Sequence, residues 1–160
     1  MTSPHSTARV ILIEKRAQVL QLLVMERFRY DTETNQTLHY YSIPGGHIES
    51  EETPEQTAVR EIAEEMALQI DIGPLVAINH TKDGAQHYFY TAKRVSGEPM
   101  LPADSPEALD HTPDNRFIPR WVELNDESLA NLHGVFRHLS PLILQLAAHK
   151  LPAAPLEHFE

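Results

Sequence analysis

The stretch Gly46-His47-Ile48-Glu49-Ser50-Glu51-Glu52-Thr53-Pro54-Glu55-Gln56-Thr57-Ala58-Val59-Arg60-Glu61-Ile62-Ala63-Glu64-Glu65-Met66-Ala67-Leu68 carries a helix and a cluster of acids together. Thr53 at the N-cap, Pro54 at N1 and Gln56 at N3 form the pattern of a capping box. Ala58, Ile62 and Met66, with Val59 and Ala63, give an apolar face, so a helix is predicted over about 53–67. Glu61, Glu64 and Glu65 fall largely on the other side, at spacings that set them side by side. Like charges at those spacings destabilise an isolated helix by roughly 0.2–0.5 kcal/mol per pair. A site for a hard divalent cation, by contrast, uses such a cluster, because Mg²⁺ takes carboxylate oxygens and keeps positions for water and phosphate.

Outward from the helix, the chain alternates between strands and turns. Residues 8–15 are apolar and β-branched enough for a buried strand, and a polar turn at 16–18 leads to a partner strand over 19–27. The polar stretch 29–38 reads as a loop. His39–Ile43 is a short strand stopped by Pro44-Gly45-Gly46. Beyond the helix, 75–80 and 86–92 flank Lys82-Asp83-Gly84 and read as a hairpin. Residues 96–119 hold five prolines and no clear periodicity, and read as a long loop of the kind that is functional or mobile. Residues 121–124 form the last strand, and a closing helix is predicted over about 134–150, with Pro141 at its start or at a kink. The pattern predicts an α+β fold, a layered sandwich of helices on a mixed sheet, in one domain over 1–160 with tails at 1–7 and 151–160.

The spacing of Gly46, Glu52, Arg60, Glu61, Glu64 and Glu65 resembles the signature of the Nudix hydrolase superfamily, across 23 contiguous residues. The one departure is Ala67, where that family usually has glycine; either Ala67 bears a left-handed backbone or the helix runs on slightly. The resemblance implies an α/β/α sandwich and metal-dependent cleavage of a diphosphate linkage in a nucleoside diphosphate derivative. It assigns Glu61 and Glu65, helped by Glu64, as ligands of Mg²⁺, with Mn²⁺ as the alternative ion, and the Gly45 carbonyl as a further ligand. Arg60 and Glu52 are expected to pair and brace the loop beside Gly46. The base that activates water comes in this family from the motif or from a later loop. Glu64 is the motif candidate; Glu98, Glu107, Asp110 and Asp114 are the loop candidates, of which Glu107 is preferred.

Net charge is −10, and the segment from Gly45 to Leu68 alone carries seven acids against one arginine. That argues against gripping a nucleic-acid duplex by its phosphates. A phosphorylated small molecule fits if cations mediate the contact. Arg27 and His47 are candidate substrate contacts; plain surface arginine and a loop histidine without a role are the alternatives. The ten histidines include none in His-Glu-x-x-His spacing. The chain has no cysteine, which excludes disulfides and thiolate catalysis and weighs against isomerase chemistry of the kind the superfamily performs with a cysteine. No apolar run is long enough to span a membrane and no secretory signal precedes the first strand, so a cytoplasmic protein is expected, with a homodimer left open. The rival from another class is a catalytically silent nucleotide-binding sensor, against which stands the complete set of motif acids.

Overall fold

The computed structural model describes residues 5–160. The first apolar run breaks at Leu12, so what the sequence suggests as one strand serves two sheets. Strand β1 (Thr7–Ile11) joins the first sheet and β2 (Ile13–Arg16) the second. A two-residue turn at Ala17 and Gln18, both with positive φ, returns the chain into β3 (Val19–Asp31). That double positive φ suits the twist of a tight hairpin. Residues 29–38 are mostly strand rather than loop: β3 continues to Asp31, and β4 (Gln36–Ser42) pairs with it from Ser42 back to Gln36. Backbone pairing on both edges of β3 holds those polar residues extended, a non-local effect that polarity alone does not reveal.

The remaining elements are β5 (Gly45–His47), α1 (Pro54–Met66), β6 (Gln69–His80), β7 (Gln86–Ser96), α2 (Pro106–Asp110), β8 (Asn115–Glu123), α3 (Asp126–Ala130), a 3-10 turn (Gly134–Leu139), α4 (Ser140–Ala147) and β9 (Leu156–Phe159). The first sheet runs β5-β1-β7-β6-β9, with β1–β7 and β6–β9 parallel and the others antiparallel. In the second, β3 is flanked by β2 and β4 along one edge and by β8 on the other. Pro119 is tolerated inside β8 because that strand pairs only with β3.

Alternation along the strands divides the core. Ala8, Val10, Leu12, Leu23 and Met25 pack with Ala58, Ile62 and Met66 of α1. Their neighbours Ile11, Leu22 and Val24 pack on the opposite side with Leu132, Phe136, Leu142 and Ile143. Helices therefore cover both faces of mixed sheet, the α+β, layered α/β/α sandwich expected. The α1 capping box is present: Gln56 N–H donates to Thr53 Oγ1 (3.2 Å) and Thr53 N–H to Gln56 Oε1 (2.9 Å). At its end Ala67 takes the left-handed conformation, φ 57° and ψ 31°.

Three further expectations need correction. The closing helix is not continuous over 134–150: a 3-10 turn comes first, and Pro141 then sits at N2 of α4, within the first turn, where its missing N–H costs no intrahelical bond. The loop 96–119 contains α2 and the start of β8. Residues 156–159 are not loose but pair with β6, aided by a stack of Phe159 on His80 (4.5 Å) and of His158 on His138 (4.2 Å). At the other end, residues 1–4 of the expected tail lie outside the described residues, whereas Ser6 and Thr7 are buried. Among the described residues no helix is long and apolar enough to cross a membrane.

Candidate active site

The loop between β5 and α1 is folded around one guanidinium. Arg60 grips Glu52 with two bonds, Nε to Oε2 (2.7 Å) and Nη2 to Oε1 (2.9 Å), the fork geometry that makes such pairs strong. The same side chain donates to the His47 carbonyl (3.1 Å), Glu61 Oε1 (3.0 Å) and Glu64 Oε2 (3.1 Å). Glu52 further accepts from Thr57 Oγ1 (2.5 Å) and Glu49 N–H (3.1 Å). These bonds, led by the one from Arg60, hold the Glu52 carboxyl down at about 2. Arg60 and Glu52 pair as the motif suggested.

Two glycines clear the way for two opposite charges. A β-carbon on Gly46 would lie 2.4 Å from the Glu61 carboxyl carbon. One on Gly45 would lie 2.2 Å from the Ala8 carbonyl and 2.7 Å from Arg9 Cγ, and Gly45 has φ +150°. Glycine is thus required at Gly45, where a side chain would meet the β1 backbone, whereas at Gly46 a side chain would displace the Glu61 carboxyl.

Glu61, Glu65 and Glu107 are brought together from α1 and α2. Burial is the largest influence on both helix acids and raises their pKa values, Glu65 well above the ordinary range. The negative charges of Glu61 and Glu107 push Glu65 further up, against Arg9 and a hydrogen bond from Gly45 N–H. A cavity of about 170 Å³ holds Glu65, Glu107 and Gly45 with Arg9, Arg27 and Phe117 in its lining. Glu107 Oε2 is buried with no hydrogen-bond partner, which is costly for a carboxylate oxygen unless a ligand completes it. A larger concavity, about 650 Å³ between β6, β7 and residues 146–151, has Asp71 as the acid in its lining and lies apart from this cluster.

The other sequence candidates separate. Glu64 is half exposed and faces Asp104 and Ser105 across a shallow pocket. Arg27 lines the cavity, with its guanidinium stacked on Phe117 (3.8 Å) and bonded to the Arg116 carbonyl (3.1 Å) and Asn115 Oδ1 (2.5 Å). The His47 side chain is exposed and is not part of the lining; its carbonyl is what serves the site. Glu98 is tied to Arg16 (2.8 Å) and Arg94 (3.4 Å), and neither Asp110 nor Asp114 reaches the cavity. Arg9 escaped the sequence reading. Its signal was a single charge inside the apolar run Ala8-Arg9-Val10-Ile11-Leu12-Ile13.

Among the described residues no three His, Cys, Asp or Glu side chains stand close enough together to hold a metal ion as placed, and Arg60 donates to oxygens of Glu61 and Glu64. The donor set nonetheless fits a hard divalent cation: all oxygen, mutually repelling, largely desolvated, with an unpartnered carboxylate oxygen on Glu107.

Comparison with known proteins agrees with the geometry. Residues 3–142 match the family model described as NUDIX domain. A Mycobacterium tuberculosis protein provisionally named 8-oxo-dGTP diphosphatase 3 is 35% identical over 101 residues, 60% of this chain and 43% of that relative. The chain thus spans less than half the length of that curated relative. Similar solved structures include a NUDIX hydrolase from Nitrosomonas europaea (TM-score 0.66, 15% identity, 99% of this chain and 81% of that one). Another is a C. elegans Ap4A hydrolase (TM-score 0.60, 16% identity, 90% and 96%). Fold, motif geometry and family match converge on one assignment: the chain belongs to the NUDIX family.

Proposed function

We propose that this chain hydrolyses a diphosphate linkage in a nucleoside diphosphate derivative, a nucleotide or nucleotide-sugar, by attack of water on phosphorus. The observation that carries the reading is the convergence of Glu61, Glu65 and Glu107, from two separate helices, beside a glycine-lined strand and two arginines. Such a cluster disfavours a bare polyphosphate and suits one presented with a divalent cation. Glu61, Glu65 and Glu64, with the Gly45 carbonyl, would hold Mg²⁺ or Mn²⁺. When bound, the ion polarises phosphoryl oxygens and lowers the pKa of water.

The chain's own residues do the rest. Glu107 Oε2, free of other partners, is the acceptor for the proton of the attacking water. Glu64, already held by Arg60 and half exposed, is the less suited base. Arg60 keeps the loop and Glu61 in register through Glu52. Arg27, stacked on Phe117 at the cavity wall, is a contact for the substrate.

The names of the relatives, 8-oxo-dGTP diphosphatase, Ap4A hydrolase and an ADP-ribose pyrophosphatase from Streptococcus suis, share a nucleoside phosphate and differ beyond it. The test is a panel containing 8-oxo-dGTP, Ap4A, ADP-ribose and nucleotide-sugars with Mg²⁺ or Mn²⁺, following nucleotide and phosphate release. Hydrolysis of at least one member is expected. Tight nucleotide binding without hydrolysis across the panel would instead favour the silent sensor.

A further inference from the structure

We propose that Arg9 is a substrate-binding residue that takes the phosphoryl oxygens of the diphosphate on the side of the cavity away from the acids. Arg9 lies in β1 with the parity of Ile11, whose side chain packs in the core opposite α1. Its own side chain therefore leaves the sheet on the face away from α1 and passes Gly45, where a β-carbon would stand 2.7 Å from Arg9 Cγ. Arg9 lines the same cavity as Glu65 and Glu107, and its guanidinium is anchored at that cavity's wall on the Ile43 carbonyl.

Its partners do not exhaust it. Among the described residues its one hydrogen bond is Nη1 to the Ile43 carbonyl (2.7 Å), and one face rests on the Phe136 ring at 5.1 Å. Among the described residues no carboxylate comes within ion-pair distance of it, although Glu65 and Glu61 are near enough to favour its charge. A guanidinium has five N–H donors. Burying this one in an apolar strand costs desolvation, as the lowering of its pKa by burial registers. Arg27, by comparison, is bonded to Asn115 and the Arg116 carbonyl and stacked on Phe117.

The two sides of the cavity are thus unlike. One presents Glu65 and Glu107, which suit a cation; the other presents Arg9, whose remaining donors suit an anion. At about 170 Å³ the space is some six times the roughly 30 Å³ share of one water, the scale of a diphosphate rather than a whole nucleotide. A diphosphate with metal at one end and a guanidinium fork at the other satisfies both sides at once. A second hollow of about 110 Å³, bounded by Asn79, His87 and Phe136, also abuts Arg9 and gives the side chain room to adjust.

This assignment rests on the proposed hydrolysis, and its test separates the two. Magnesium pyrophosphate is titrated calorimetrically into wild type, Arg9→Gln and Arg9→Lys, and kcat and KM are measured on the best panel substrate. Thermal unfolding checks that each variant is folded. Arg9→Gln is expected to weaken pyrophosphate binding at least about tenfold and to raise KM alongside a fall in kcat, with Arg9→Lys between it and wild type. A second measurement needs no substitution: phenylglyoxal modification of Arg9 in wild type, mapped by mass spectrometry, should slow at least about tenfold with saturating magnesium pyrophosphate. Folded Arg9→Gln with unchanged pyrophosphate affinity, unprotected Arg9 in the saturated protein, or a wild type that binds no pyrophosphate overturns the assignment. Retained, Arg9-dependent pyrophosphate binding without hydrolysis of any panel member defeats the hydrolase reading and leaves Arg9 in place.

Discussion

Gly46 lies directly against Glu61: a β-carbon on it would stand within 2.4–2.6 Å of all three carboxyl atoms. Glu61 is held on its other side by Arg60 (3.0 Å), so it cannot retreat without losing that bond. Gly46→Ala is therefore expected to displace Glu61, lower turnover at least about tenfold and destabilise the fold by about 1–3 kcal/mol. Steady-state kinetics and urea unfolding of the variant check this. Unchanged turnover would mean that the Glu61 position does not matter to the chemistry.

At the other end of α1, Ala67 holds a left-handed conformation at φ 57° while its N–H still reaches Ala63 (3.1 Å). That conformation costs a residue with a β-carbon about 1–2 kcal/mol. Offset by the extra freedom glycine gives the unfolded chain, Ala67→Gly should stabilise the protein by about 0.5–1 kcal/mol, or roughly 1–4 °C in Tm for a domain of this size. Because Ala67 contributes nothing to the cavity lining, activity should be unaltered.

Acid unfolding should run partly through Glu52. Its carboxyl is depressed from 4.5 to about 2 by Arg60 and its other donors. A depressed acid adds stability that is present above the unfolded value and is lost as pH falls through the folded one. The loss is thus expected between about pH 4.5 and 2. Glu52→Gln should lower the urea midpoint at pH 6 and flatten its dependence across that window. A variant with the wild-type slope would show that Glu52 is not the group responsible.

Glu65 has the opposite sign. Its pKa is raised by burial and by Glu61 and Glu107, so ionising it opposes folding at high pH, and that penalty fades as pH falls through its folded value toward the unfolded 4.5. In chelator, Glu65→Gln is expected to raise Tm at pH 7.5 above wild type; in Mg²⁺ the same variant should lose most activity. Saturating Mg²⁺ should stabilise wild type more than the variant, since the ion binds the folded carboxylates. Differential scanning calorimetry with and without Mg²⁺ reads both effects.

What the sequence made legible was local. The α1 cap at Thr53, its apolar face and the pairing of Arg60 with Glu52 depend on residues within a few turns of one another, and all appear as read. Non-local pairing was hidden. Polar residues 29–38 became strand because β4 and β8 take both edges of β3. Residues 156–159 became a strand because the distant β6 offered an edge. Glu107 stood out only as one of several acids in a proline-rich loop. Its place beside Glu65 depends on α2, whose cap at Ser105 (Ala108 N–H to Oγ, 3.1 Å) returns the chain toward α1. Arg9 was concealed by its setting, since one arginine in an apolar strand does not disturb the strand pattern.

The account turns on carboxylates from α1 and α2 acting through a divalent cation on a diphosphate. The most direct measurement is turnover of the best panel substrate by wild type and Glu65→Gln, each in Mg²⁺ and in excess chelator. Wild type should turn over substrate only with Mg²⁺, Glu65→Gln should be slower by roughly a hundredfold or more, and chelator should abolish turnover. Wild-type rates that persist in chelator, or survive Glu65→Gln, would contradict this mechanism.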